Sequence, residues 1–75
     1  MSYRPRVREL LDALKQLECR ASPLRGGSHQ KWTTPGGAAF SVVIARPGEE
    51  VSRTVLTSIR RVLRKECLRL GFDRA

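Results

Sequence analysis

Three clusters of glycine and proline divide the middle of this chain, and they constrain its fold more than any other feature: Gly26-Gly27, Pro35-Gly36-Gly37 and Pro47-Gly48. Glycine reaches backbone angles that other residues avoid, while proline fixes φ and removes an N–H donor, so each cluster reads as a turn. In the second cluster, Pro35 and Gly36 suit the two central turn positions. Between the turns, residues 28–34 alternate as a strand, and residues 40–45 form the best strand of the chain by β-propensity. Upstream, residues 19–25 are poorly patterned for a helix. Pro23 forbids a central strand there but allows a short edge strand.

Both flanks carry helical spacing instead. Val7, Leu10, Leu11, Leu14 and Leu17 place one apolar stripe on a helix over 7–17. Ser52 is the expected N-cap of a closing helix whose stripe is Leu56, Ile59, Leu63, Cys67 and Leu70, with Gly71 as the stop. The expected order is α-β-β-β-α, a single α+β domain over residues 1–75. A three-stranded antiparallel sheet is covered by two helices on one face, a two-layer sandwich whose other face is left to solvent.

Charge narrows the choice of partner. Fifteen Lys and Arg against seven Asp and Glu give a net charge of +8, which points to a polyanion, nucleic acid first. The longest near-apolar stretch, residues 38–45, falls far short of the roughly 20 residues that span a bilayer. The helix stripes are needed for the core, which argues against a membrane surface. No export signal is visible at the N-terminus, so the cytoplasm is the expected location. Cys19 and Cys67 are then expected to be reduced thiols packed as small hydrophobes. With one His and no CxxC spacing, no metal site and no small-molecule cofactor is expected.

Strand periodicity sorts the middle segment. Gln30 and Trp32 fall on one face; His29, Lys31 and Thr33 fall on the other. Trp32, with Phe40, Val42 and Ile44, should lie under the helices, so His29 and Lys31 face outward beside the Gly26-Gly27 turn. On the residues alone, His29 is either a solvated surface side chain or an acid–base group suited to neutral pH. Lys31 either binds phosphate or is solvated. Arg53, Arg60 and Arg64 lie along one flank of the closing helix, as a backbone-tracking stripe or as an ordinary charged face.

The run Arg25-Gly26-Gly27-Ser28-His29-Gln30-Lys31-Trp32 resembles the Gly-Ser-His turn-and-strand signature of the HicA toxin family, the mRNA-cleaving halves of bacterial toxin–antitoxin pairs. The order around it is similar too. A short amphipathic helix precedes it, and a Pro/Gly turn with the Ser41-Val42-Val43-Ile44 strand follows. Pro47-Gly48-Glu49-Glu50-Val51 then leads into the closing helix. The resemblance covers about residues 7–60. It implies a double-stranded-RNA-binding-domain-like fold, metal-independent ribonuclease activity on mRNA carried by His29, and a HicB-type antitoxin as partner. Three departures stand out. Gln30 follows the motif histidine where many relatives carry a second basic or aromatic residue, Arg46 stands where many have a histidine, and the closing helix is expected to run about two turns longer.

RNA brings its own nucleophile, the 2′-hydroxyl, so proton transfer and charge stabilisation suffice. His29 is the expected acid–base group. Arg25, Gly27, Ser28 and Lys31 are expected around the phosphate, and Arg53, Arg60 and Arg64 along the RNA backbone. With a single histidine, the complementary acid is Lys31, water or the substrate. The competing readings are a non-catalytic RNA-binding module and an inactive relative kept for its partner. Helix-turn-helix readout of DNA is disfavoured because the sheet separates the two helices.

Overall fold

The computed structural model describes residues 4–23, 29–43 and 48–73. Helix α1 (Val7–Gln16) leads into β1 (Arg20–Ala21), β2 (His29–Thr33), β3 (Ala39–Val43) and helix α2 (Arg53–Arg64), and a 3-10 turn over Gly71–Asp73 follows. The three strands form one antiparallel sheet in the order β1-β2-β3. This is the expected α-β-β-β-α order. The core lies between the sheet and the helices, where Leu10 and Leu14 of α1 and Ile59 and Leu63 of α2 pack with Trp32, Phe40 and Val42 of the sheet. Trp32, the largest buried group, is 2% exposed.

The β2–β3 connection follows from its residues. Gly37 N–H donates to Thr34 O at 2.9 Å, which puts Pro35 and Gly36 at the central positions. Gly37 then takes φ +97°, and Thr34 N–H bonds Ala38 O at 2.8 Å. A turn followed by one left-handed residue is the three-residue hairpin loop that suits strand twist, and it needs a glycine at that last position.

Helix α1 starts on an arginine, which has no side-chain acceptor to cap with. The first donors are met another way. Arg6 N–H reaches Glu9 Oε1 at 3.2 Å, and Val7 N–H reaches Glu49 O at 2.8 Å. Val51 N–H returns to Pro5 O at 2.9 Å, so a bridge between Arg6 and Glu50 ties the entry of α1 to the entry of α2. Ser52 caps α2 as expected, its hydroxyl accepting from Val55 N–H at 3.2 Å.

The end of α2 corrects the sequence expectation. The helix stops at Arg64 instead of running to about residue 70, so the two extra helical turns are not formed. Cys67 adopts φ +58°, its N–H bonds Arg64 O at 3.0 Å, and Leu68 N–H bonds Leu63 O at 2.9 Å. That pair of bonds is the Schellman stop, built here on a cysteine where glycine is usual. Past the stop the chain folds back and delivers Leu70 to the core, so the stripe residue is buried without the helix. Gly71 opens the 3-10 turn and is not the helix stop. Cys67 is exposed and only Cys19 is buried, so the expectation of two packed thiols holds for one. Helix α1 ends by the same device, with Glu18 at φ +64° and Cys19 N–H bonded to Leu14 O at 3.0 Å.

A carboxylate joins the new turn to the hairpin. Glu66 accepts from Gly36 N–H at 2.9 Å through Oε1 and from the Thr34 hydroxyl through Oε2. Thr34 Oγ1 in turn accepts from Ala38 N–H at 3.0 Å. Burial, and then the nearby Glu66 charge, push the Cys19 thiol above its ordinary pKa.

Candidate nucleic-acid interface

The sheet buries one face and leaves the other bare. On the covered face Gln30 is half-buried between two partners: its Oε1 accepts from the Trp32 indole N–H, and its Nε2 donates to Ser22 O, both at 3.0 Å. Gln30 therefore satisfies the buried indole and holds the edge segment, which gives it a structural task on the side away from His29.

On the open face His29 and Lys31 are exposed and stand two residues apart. Across the ladder they oppose Val43 and Ser41, while Thr33 opposes Ala39 on one side and Arg20 on the other. Paired residues share a face, so Arg20 joins His29 and Lys31. The seven acidic side chains all lie elsewhere. Glu9 and Asp12 are on α1, Glu18 at its end, Glu49 and Glu50 before α2, and Glu66 and Asp73 after it. The strands of the open face thus carry two permanent cations, one imidazole and no carboxylate.

Sequence reasoning missed Arg20. A two-residue strand shows no alternation, and its facing becomes legible only through the pairing of Arg20 with Thr33. Arg25, Gly27 and Ser28, expected around the phosphate, lie outside the described residues, as do Ile44 and Arg46.

The helix arginines do not join this surface. The helices cover the opposite side of the sheet, so Arg53 and Arg64, both exposed, face away from His29. Arg60 is engaged. Its Nε and one terminal nitrogen fork onto the Asp73 carboxylate at 2.7 and 2.5 Å. The hydrogen bond to Asp73 raises the Arg60 pKa, burial opposes this, and the Asp73 charge adds to the rise. A guanidinium held in this bidentate way is committed to the fold. A groove of about 550 Å³ lies beside it, lined by Leu63, Arg64, Cys67 and Leu70 among others. It belongs to the helix layer and contains none of the open-face residues.

Among the described residues no three His, Cys, Asp or Glu gather as metal ligands, and no helix is long and apolar enough to cross a membrane. No family model, no curated protein and no solved structure matches the chain.

Proposed function

We propose that the protein is a metal-independent endoribonuclease of the toxin type, cleaving mRNA in the cytoplasm with His29 as its acid–base group. The observation that supports this best is the open face itself: an exposed histidine in line with Lys31 and Arg20 on strands that bear no carboxylate. Such a surface attracts and seats a polyanion, and an imidazole on it is the side chain best matched to proton transfer near neutral pH. The Gly-Ser-His run in the HicA-like order of elements supplies the reaction class.

The chemistry balances without a cofactor. His29 takes the proton of the 2′-hydroxyl, whose oxygen attacks the adjacent phosphorus. The P–O5′ bond breaks, and the departing oxygen takes a proton from water or from Lys31. The products are a 2′,3′-cyclic phosphate and a 5′-hydroxyl end. Lys31 stabilises the charge on the crowded phosphate. One positioned acid–base group contributes about 10²–10⁴-fold, so turnover is modest. An acidic antitoxin of the HicB type fits as partner, because a face without carboxylates complements it as well as it complements RNA.

One observation favours a second reading, a binding module without catalysis: no described side chain hydrogen-bonds to the His29 imidazole to orient it. Inducible expression of wild type and His29→Ala in a bacterium, following growth and total RNA, separates the two. Loss of growth arrest and of RNA decay in the variant, with cyclic-phosphate ends from the wild type, is the expected result. A variant that still arrests growth and degrades RNA like the wild type would falsify the catalytic role.

A further inference from the structure

We infer that the open face seats one RNA strand by its backbone, with His29, Lys31 and Arg20 meeting three consecutive phosphates, and that Arg20 is therefore a substrate-binding residue. This rests on reading that face as the RNA site.

Register sets the spacing. His29, Lys31 and Thr33 follow at two-residue intervals on one face of β2, and Arg20 stands directly across from Thr33 on β1. Each interval is about 7 Å of strand rise, the scale of one nucleotide step in an extended single strand. His29 and Lys31 therefore stand one step apart along β2, and Arg20 marks the next step from one strand over, about 5 Å to the side, within reach of an arginine side chain, with the reacting phosphate at the His29 end. Beside Lys31 and Thr33 on β3 stand Ser41 and Ala39, too short to obstruct a chain lying along β2, and beside His29 stands the half-buried Val43.

Two features select the form of RNA. A duplex offers phosphates in two rows across a groove, and its recognition by shape extends over about 16 base pairs. A three-stranded face whose edge strand has two residues supplies a single row. Bases are gripped by stacking on aromatic side chains. Trp32 and Phe40 are buried on the covered face, and Phe72 sits in the 3-10 turn, so among the described residues the open face has no aromatic platform. Recognition through phosphates alone gives little base preference.

The test is fluorescence anisotropy with a labelled twelve-nucleotide 2′-O-methyl oligouridine, which lacks the 2′-hydroxyl needed for cleavage. Arg20→Ala is expected to weaken binding about fivefold, the scale of one exposed charge contact. It should also lower the slope of log affinity against log salt by about 0.7, the value for one phosphate on a single strand. Arg20→Lys should recover most of both. Arg8→Ala, on exposed α1, removes the same charge from the other layer and should leave binding unchanged. Oligoadenosine of the same chemistry should bind like oligouridine. Unchanged affinity and slope in Arg20→Ala, or a hairpin duplex that outcompetes the single strand, overturns the inference. Cleavage lost in His29→Ala with Arg20→Ala binding unchanged removes this inference and leaves the ribonuclease reading intact. No cleavage by the wild type together with weakened Arg20→Ala binding does the reverse.

Discussion

Cys67 occupies a backbone position that its own side chain resists, so Cys67→Gly should stabilise the protein. At φ +58° the Cβ crowds the carbonyl that follows, a cost of about 1–2 kcal/mol for a residue other than glycine. Glycine relieves it but gives the unfolded chain more freedom to lose, about 0.4–1 kcal/mol. The thiol is exposed, so little packing is forfeited. The balance is a gain of about 0.7 kcal/mol, from the difference of those two terms. In a domain of this size that corresponds to a rise in Tm of about 3–6 °C. Thermal unfolding followed by far-ultraviolet circular dichroism, at fixed protein concentration and with reductant, measures it. Cys67→Ala is the control: it removes the thiol, keeps the Cβ and should melt with the wild type. Glu18→Gly relieves the same strain at the end of α1 and should raise the Tm in the same direction. A Cys67→Gly protein that melts at or below the wild-type temperature, while Cys67→Ala is unchanged, refutes the reasoning. The left-handed stop would then not be the strained element.

Two further outcomes follow from buried polar groups. Gln30→Leu leaves the Trp32 indole N–H unpaired inside the core, which should cost about 2 kcal/mol; an unshifted urea midpoint would show that the indole finds another partner. Cys19 carries a thiol pKa raised by burial and by Glu66 above the ordinary value of 9.0. The unfolded chain therefore ionises first as pH rises, so this contribution to stability is complete below about pH 9 and declines through the folded pKa. Urea midpoints between pH 7 and 10 should fall more steeply for wild type than for Cys19→Ala, and equal slopes would contradict the assignment.

The parts of this fold that were legible in the sequence are those fixed by local spacing. Turn residues at 35–37 and the apolar stripe of α1 placed a hairpin and a helix, and alternation around Trp32 set which way His29 faces. The end of α2 was not legible, because Leu70 keeps helical spacing with Leu63 although the chain between them turns back. Periodicity records which residues reach the core and says nothing of the path by which they arrive. Cysteine in the left-handed position hid the stop that glycine would have announced. The candidate site divides along the same line. His29 and Lys31 sit on a strand long enough to alternate, whereas Arg20 depends on its pairing with Thr33, thirteen residues away. The engagement of Arg60 with Asp73 likewise belongs to tertiary structure, since no helical spacing joins residues 60 and 73.

Glu66 has a consequence for how this chain tolerates change in length. The tip of a hairpin is ordinarily where an insertion does least harm. Here the tip is gripped by a carboxylate from the segment that has just left α2, through the amide of Gly36 and the hydroxyl of Thr34. A Cβ placed on Gly36 would stand 2.5 Å from the Glu66 carboxylate oxygen. The loop is thus one half of a latch whose other half starts the return of Leu68 and Leu70 to the core. Lengthening it would loosen the hold on the C-terminal segment from a distance of thirty residues, so a change at this tip is felt at the far end of the chain.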